Sequence, residues 1–333
     1  MKQYRIEDPQ SLDPFEIETL VSEGNQVIIQ FSNNKWQNKL LEELNGVASK
    51  LDRNLQIRFY GHYQEIFDAS VLRLIPDVKC LSIDCLTTAI NLEALDILLK
   101  LKELHIGIHE LDDTNILSTP SLRNLESLTV GDTRKNNVDL SHLANLTELK
   151  KIGIVGHTKN IEVVAGLNSV TSLFLSKIGN RVPLDFVSQI KNLENIFIIL
   201  GGRTSIAEIN GEKIKDLKIT RVRGLENLGD IGRFPLVESI EIEDQIKLSS
   251  ISFAHNHRLR RMRIINCKTL ERIHGITELE SLEELCISQT AIDYQKFINI
   301  EMPKPLKKIT FHTGKRKQDV EIENDLVDRA YNR

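Results

Sequence analysis

The chain has 333 residues and a net charge of −4, because 43 Lys and Arg stand against 47 Asp and Glu. This balance excludes a global field that would favour nucleic acid or an anionic membrane as the partner. Hydrophobic residues make up 41%, enough for a continuous core, whereas aromatic residues make up only 5%. The N-terminal residues show no apolar signal core, and no run of about 18 apolar residues exists for a membrane span. We therefore expect a cytoplasmic protein that binds neither nucleic acid nor membrane.

Residues 1–71 show a mixed α/β pattern. Val27 to Phe31 and Leu55 to Phe59 predict strands, and a helical face lies between them, with Asn33 or Asn34 as a possible cap. That face consists of Trp36, Leu40, Leu44, Val47 and Leu51. One interpretation is an N-terminal α/β cap that shields the core of the neighbouring part of the chain. The alternative is an effector or catalytic domain, although the segment shows no catalytic motif.

From residue 72 to residue 314 an apolar pattern, Leu-x-x-Leu-x-Ile or a close variant, recurs at intervals of 21 to 24 residues. The first residue of each copy, here called its anchor, is followed by apolar residues three and five positions later. The eleven anchors are Val78, Leu101, Leu125, Leu149, Val170, Leu193, Ile214, Val237, Leu259, Leu282 and Leu306. Alternation of this kind predicts a short strand with one buried face. The arcs between strands predict extended, 3₁₀ or short helical segments, and units with one apolar side must stack.

These eleven copies resemble the leucine-rich repeat family, whose strand and turn read Leu-x-x-Leu-x-Leu-x-x-Asn/Cys-x-Leu. The resemblance implies an α/β solenoid, a horseshoe or arc with a parallel sheet on its concave face and short segments on its convex face. The inward turn position departs from the family's Asn or Cys. It holds His109, Thr133, His157, Ile178, Gly201, Val222, Cys267 and Thr290. A buried asparagine ladder is therefore mostly missing, which predicts irregular turns.

After Phe311 the period ends, and residues 315–333 are highly charged. We expect a closing cap edge with a loose tail there. The basic run Lys315, Arg316 and Lys317 is followed at once by acidic residues, which is more typical of a solvated edge than of a localisation signal.

Four cysteines occur, Cys80, Cys85, Cys267 and Cys286, without the spacing of a metal knuckle or a disulfide framework. The repeat phase places Cys267 inward and Cys286 outward on the next strand, so we expect reduced thiols. His255 and His257 lack acidic or Cys neighbours at ligand spacing, which favours a surface loop over a metal site. For His109 and His157 at the inward turn position, a ring hydrogen-bonded to backbone is expected.

The outward positions of the strands form columns across the predicted concave sheet. In the last repeats these columns alternate in charge, as in Lys218, Glu241 and Arg263, or in Arg261, Glu284 and Lys308. The pattern allows an ionic recognition surface, but alternation favours a surface whose charges pair with one another.

The middle repeats instead carry outward apolar residues, led by Phe174 and Phe197, and an apolar patch of this kind often marks a contact site. Earlier repeats show small or polar outward residues such as Ser82, Gly107 and Gly153. The predicted partner-binding residues are Phe174, Phe197, Ile199, Val155, Lys218, Glu241, Arg263, Asp84, His105 and Thr129.

No phosphate loop, zinc-protease motif or nucleophile elbow occurs, and Gly224, Gly229 and Gly232 keep the repeat phase of turns. We therefore predict a non-enzymatic protein-protein interaction module without metal or cofactor, which binds a protein on the concave face. A self-associating structural protein, dimeric through the apolar patch, is the other alternative.

Overall fold

The computed structural model describes residues 2–61 and 65–331, which divide into two compact units, 1–170 and 171–333. Within the described residues, no helix is both long and apolar enough to cross a bilayer.

The described residues of the first unit form two helices, α1 (Pro14–Ser22) and α2 (Asn38–Lys50), and nine strands. The strands are β1 (Gln3–Glu7), β2 (Gln26–Ser32), β3 (Leu55–Tyr60), β4 (Ile66–Asp68), β5 (Cys80–Leu86), β6 (Thr88–Ile90), β7 (Glu103–Ile108), β8 (Ser127–Val130) and β9 (Lys151–Val155). Its 3₁₀ segments are Ala69–Leu74, Leu92–Ile97, Ile116–Ser118, Pro120–Asn124, Leu140–Asn145 and Ile161–Gly166. Strands β1, β2, β3, β5, β7, β8 and β9 form a parallel sheet in that order, and β4 pairs with β6.

Residues 171–331 of the second unit form nine further strands and two helices, α3 (Tyr294–Ile298) and α4 (Arg316–Asp328). The strands are β10 (Ser172–Ser176), β11 (Asn195–Ile199), β12 (Asp216–Thr220), β13 (Ser239–Glu243), β14 (Ser250–Ser252), β15 (Arg261–Ile265), β16 (Arg272–His274), β17 (Glu284–Ser288) and β18 (Lys308–His312). Its 3₁₀ segments are Asp185–Gln189, Ile231–Arg233 and Ile276–Glu278. Strands β10, β11, β12, β13, β15, β17 and β18 form a parallel sheet in that order, and β14 pairs with β16.

Each of the eleven predicted repeats supplies one strand of these sheets. The residues three and five positions after the anchor are paired from strand to strand, as in Ile240↔Met262 and Ile242↔Ile264. All of these inward residues are buried, together with the anchors. Between strands the chain forms the expected 3₁₀ and extended segments, so the predicted repeat phase is confirmed.

The N-terminal segment shares the sheet of the first repeats. Strand β3 pairs in parallel with β5, and in the core Phe59 stacks on Phe31 and packs at a tilt against Phe67. Strand β1 and helix α1 were not predicted. Helix α1 begins at Pro14 because Asp13 caps it, accepting hydrogen bonds from the backbone N–H groups of residues 15 and 16 at 3.0 and 3.1 Å.

Helix α2 is the predicted helix with shifted bounds. It buries Leu40, Leu41, Leu44 and Val47 along one face, but Trp36 precedes its first residue. The expectation that Asn33 or Asn34 caps it is wrong. Both asparagines take positive φ angles in a turn, and the N-cap is Gln37, which makes no side-chain cap bond.

Most repeat strands end in a left-handed residue seven positions after the anchor. Positive φ angles occur at Cys85, Gly156, Lys177, Leu200, Arg221, Asp244, Asn266 and Gln289. Six of the eight are neither Gly nor Asn, although those residues adopt this conformation at the lowest cost. We infer that the pairing of neighbouring repeats, and not the residue type, stabilises this left-handed conformation at the end of the strand.

The inward turn position behaves differently from repeat to repeat. His157 is buried, accepts a hydrogen bond at Nδ1 from the Val138 N–H (3.1 Å) and donates from Nε2 to the Gly131 carbonyl (2.8 Å). Its predicted bonding to backbone is confirmed. Cys267 is buried there as expected, and Gln245, which the sequence pattern did not single out, donates to the Glu243 carbonyl at 2.6 Å. These side chains donate hydrogen bonds to backbone carbonyls at the ends of strands, which is the role that asparagine has in regular repeats.

His109, by contrast, does not occupy the inward turn position, so that prediction is wrong. The register between β5 and β7 shifts at a bulge near Cys85, and Leu86 pairs with Ile108. Strand β7 itself keeps its alternation up to Ile108, so Ile108 is buried and the side chain of His109, the next residue, is exposed.

At the other end, residues 316–328 form helix α4, where we had expected a loose tail. Ile322 and Leu326 lie one turn apart on this helix and are both buried, and α4 packs on β18. The Tyr294 hydroxyl also donates a hydrogen bond to the Asp325 carboxylate at 2.6 Å. The charged sequence is thus an amphipathic helix with a narrow apolar stripe.

Candidate functional site

The face of each sheet that carries the residues two, four and six positions after the anchor is here called the open face. It is opposite the inward residues that form the core, since side chains alternate along a strand. All ten predicted partner-binding residues occupy positions on this face, Val155, Asp84, His105 and Thr129 in the first unit and the other six in the second.

In the second unit, Phe174 and Phe197 are neighbours in register on β10 and β11. Their rings lie 5.1 Å apart between centroids and are tilted by 50°. Both side chains are half-buried, and so is Ile199 at the end of β11. Packed together in this way, the two rings present a rigid apolar surface with little side-chain entropy left to lose on binding.

Lys218 follows Phe197 in the same column. Its ammonium lies 5.2 Å from the centre of the Phe197 ring and 2.6 Å from a carboxylate oxygen of Glu241. Glu241 also faces Arg263 at 3.9 Å. The aromatic pair therefore continues into a row of alternating charges, and the predicted residues Lys218, Glu241 and Arg263 come together.

The remaining charged columns pair only in part. Arg260 and Glu283 lie 4.0 Å apart, and Lys215 pairs with Glu194 at 2.9 Å. Within residues 2–61 and 65–331, however, Arg261, Glu284 and Lys308 make no ion pair closer than 4.0 Å. The predicted self-pairing is therefore present in the column of Lys218, Glu241 and Arg263 on β12, β13 and β15, but not in the column of Arg261, Glu284 and Lys308 on β15, β17 and β18.

In the first unit, Asp84 is not the accessible contact residue that we expected. Asp84 is buried under the side chain of Arg58 from β3. Arg58 donates a hydrogen bond from Nε to Oδ1 of Asp84 at 2.7 Å and another from Nη2 to Oδ2 at 3.2 Å. Ser82 is buried on the same face, and so is Gly153 further along the sheet. The N-terminal strands extend the sheet beside β5, and the Arg58 side chain covers the Asp84 position of the open face.

His105 lies next to this pair, with Nδ1 3.5 Å from an Asp84 carboxylate oxygen. Burial lowers the pKa of His105, and the positive charge of Arg58 lowers it further, while Asp84 opposes both. Thr129 is the neighbour of His105 in register on β8 and is half-buried. Both oxygens of Asp84 accept hydrogen bonds from Arg58, and the one bonded to Nη2 is also the oxygen nearest His105.

Arg58 and Tyr60 are residues of the open face that sequence reasoning missed. The Arg58 guanidinium lies 4.4 Å from the centre of the Tyr60 ring, and the Tyr60 hydroxyl donates to the Glu7 carboxylate. That hydrogen bond and then burial raise the pKa of Tyr60 to about 12. The alternation of the predicted strand Leu55 to Phe59 already placed Arg58 outward, and this signal could have identified it.

The weaker chemical candidates lie in turns and loops. Gly224 and Gly229 have positive φ angles of 87° and 72°, as turns require. His255 and His257 are exposed, with ring centres 6.1 Å apart. Among the residues that the structure describes, no group of three or more His, Cys, Asp or Glu could hold a metal ion.

No protein-family model matches the sequence, and no curated protein matches it. Among the solved structures similar to this chain are these three. An internalin from Listeria monocytogenes str. 4b F2365 is 16% identical, with 86% of this chain and 78% of that chain covered and a TM-score of 0.39. The LRIM1/APL1C complex is 13% identical, with 94% and 57% covered and a TM-score of 0.45. The TLR13–ssRNA13 complex is 11% identical, with 93% and 50% covered and a TM-score of 0.43.

All three TM-scores lie below 0.5, so these similarities support no argument about what this chain binds. Its fold is instead evident from its own geometry. One parallel strand occurs in every 21 to 24 residues, two inward apolar residues follow each anchor, and short 3₁₀ or extended segments return the chain. The protein is an α/β protein of the leucine-rich repeat type, with eleven repeats after an N-terminal α/β segment.

Proposed function

We propose that this protein is a non-enzymatic interaction module that binds a protein partner on the open face of its second unit. The observation that carries the proposal is the Phe174–Phe197 pair with Lys218 beside it. Aromatic residues at the centre of a contact surface, bordered by polar groups, are typical of the residues that contribute most binding energy between proteins.

The distribution of charge supports a protein as partner. The open face of the second unit mixes both signs around the aromatic pair, with Lys218 and Glu241 in contact at 2.6 Å. A nucleic-acid surface would need a run of unpaired cations along the strands, because phosphate contacts supply most of its affinity. The mixed signs match a protein surface that presents an apolar group within polar surroundings.

A binding role also agrees with the state of the histidine and carboxylate in the first unit. Catalysis by His105 would need a carboxylate free to orient it and a nucleophile or substrate within reach. Asp84 is instead held by Arg58, and burial raises the pKa of the neighbouring Cys85 thiol. The arrangement stabilises the sheet of the N-terminal strands.

The test is capture of partners by wild type and by Phe174→Asp/Phe197→Asp from native lysate, quantified by mass spectrometry. A matched control is Ile246→Asp/Ile300→Asp, which alters two exposed apolar residues of the same unit outside the strands. We expect the Phe variant to lose the proteins that wild type and control retain, because an aspartate in place of an aromatic anchor costs about 2 kcal/mol or more of binding free energy. Melting temperatures should stay within a few degrees.

If the Phe variant retains the same proteins as wild type, the open-face site is wrong. Light scattering on the same proteins separates the alternative of self-association. A molecular mass that falls from dimer to monomer only in the Phe variant would identify a second copy of the chain as the partner.

A further inference from the structure

Strands β15, β17 and β18, with the first residue of β13, line a depression of 350 Å³ on the open face of the second unit. Its lining includes three small side chains, those of Ser239, Cys286 and Thr310, and four charged ones, those of Arg261, Arg263, Glu284 and Lys308. The register places Arg261, Glu284 and Lys308 side by side, with Arg263 beside Cys286 in the next column. Three cations therefore face one carboxylate.

The positive charge is not neutralised from outside the depression. Glu241 is the nearest acidic neighbour of Arg263, at 3.9 Å, but it already contacts the Lys218 ammonium at 2.6 Å. Arg261 and Lys308 have no carboxylate within 4.0 Å in the described part of the chain. Both are exposed, so their positive charge is available to a ligand.

The Cys286 side chain lies in the same depression as these cations. Burial raises the pKa of Cys286, while Arg263 and Lys308 both act in the opposite direction. The strand register places Arg263 directly beside the half-buried Cys286, and Lys308 lines the same depression. An anionic group that entered between them would stand over Cys286.

We propose that this depression receives an acidic, Asp- or Glu-containing segment of the protein partner. The inference rests on the proposed function and names the chemistry of the partner at this end of the open face. Carboxylates match the three cations in sign, and Arg binds them through two parallel hydrogen bonds. The small side chains in the lining leave room for an Asp or Glu side chain of the partner.

The spacing between the depression and the aromatic pair defines the segment further. From β11 the sheet runs through β12 and β13 to β15, three strand spacings of about 4.8 Å each, and two more spacings reach β18. The distance is thus roughly 14 to 24 Å. An extended chain covers it in about four to seven residues. The partner segment would carry an apolar residue and, four to seven positions away, acidic residues.

The experiment uses the full chain and a fluorescein-labelled decapeptide of alternating Glu and Gly, with binding followed by fluorescence anisotropy at low salt. The variant is Arg261→Gln/Lys308→Gln. The matched control is Lys191→Gln/Lys268→Gln, which makes the same change in net charge at two exposed lysines of the second unit that lie outside the strands. Loss of two exposed ion pairs should raise the Kd of the peptide about five- to tenfold in the variant and leave it unchanged in the control.

A second measurement locates the bound peptide. Alkylation of Cys286 by iodoacetamide should slow when the Glu peptide is present, while alkylation of the exposed Cys85 in the first unit should not change. Equal binding by wild type and variant, or an unprotected Cys286, overturns the proposal. The proposal is also overturned if a single-stranded RNA decamer protects Cys286 from alkylation and the Glu peptide does not, because the ligand would then be nucleic acid.

The outcome is separable from that of the proposed function. Phe174→Asp/Phe197→Asp lies outside the depression, so it should bind the Glu peptide with unchanged Kd even though it loses the protein partner. If partner capture survives the Phe substitutions while Cys286 is still protected by the peptide, the aromatic site fails and the acidic site stands. If the Phe variant loses the protein partner but the peptide does not protect Cys286, the aromatic site stands and the acidic site fails.

Discussion

At the scale of single residues, the buried His157 shows how this chain replaces the asparagine of regular leucine-rich repeats. Its ring joins the Val138 N–H to the Gly131 carbonyl in one particular tautomer, with Nε2 carrying the proton. Both ring nitrogens are thereby satisfied in the neutral form. A second proton would abolish the acceptor at Nδ1 and place a charge in the core.

This arrangement predicts how stability depends on pH. Burial lowers the pKa of His157 in the folded protein, whereas the unfolded value is about 6.5. Below about pH 6.5 the unfolded chain therefore binds more protons than the folded one, so the free energy of unfolding is full above that pH and falls as the pH drops. His105, whose pKa is also lowered, contributes with the same sign.

The measurement is the urea midpoint of wild type, His157→Asn and His255→Asn at pH 7.5 and pH 5.5. We expect the midpoint of wild type to fall on acidification, and to fall less in His157→Asn because the titrating group is gone. His255→Asn is the control, since His255 is exposed and its φ of 60° suits asparagine. An equal fall in His157→Asn and wild type would contradict the assignment.

Prediction from the sequence succeeded at residues whose environment depends only on strand alternation. Phe174, Phe197 and Lys218 come together because register fixes which side chains share a column. It failed at Asp84, which follows the same alternation, because its burial depends on Arg58 from a strand 26 residues earlier. Local periodicity contains no information about which partner from an earlier strand covers an outward position.

At the scale of secondary-structure elements, the repeat strands were predictable and the terminal elements were not. Eleven copies reinforce one another in phase, whereas helix α4 occurs once and buries only Ile322 and Leu326 among its thirteen residues. Because most of the other residues of α4 are charged or polar, two apolar residues give no recognisable helical pattern in the sequence. Helix α1 was missed for a similar reason, since only Ile17 in it is buried.

Helix α4 packs on β18, the last repeat strand, and this contact gives a prediction. Leu326→Ala removes a side chain that is 4% exposed and should lower the free energy of unfolding by about 2–4 kcal/mol. Val327→Ala, at the next residue, alters a side chain that is 53% exposed and should change it by less than about 0.5 kcal/mol. Urea unfolding of both variants measures the difference, and equal effects would show that α4 does not pack as described.

At the scale of the whole molecule, stability in a repeat protein is approximately a sum of terms between neighbouring repeats. In the second unit each strand pairs only with the strands beside it, as β17 does with β15 and β18. A defect in one repeat should therefore weaken its neighbours first.

Hydrogen exchange followed by mass spectrometry tests this. Leu285→Ala opens a cavity in β17, where the side chain is 1% exposed. We expect amide protection to fall most in β15, β17 and β18, and least in β10 and β11 of the same unit. Cys286→Ala, an outward change on the same strand, should leave protection nearly unchanged. A uniform loss of protection in Leu285→Ala would show instead that the unit unfolds as one cooperative body.

The alternation of inward and outward residues along every repeat strand also has a consequence for evolution. Inward residues such as Leu285 and Ile287 fill a shared core, so their replacement is limited by volume. Outward neighbours such as Cys286 point away from that core, and where no other side chain packs on them, as Arg58 does on Asp84, they can change with little effect on the fold. Descendants of one ancestral chain can therefore diverge in what they bind while they remain alike in how they fold, and selection can act on the two properties separately.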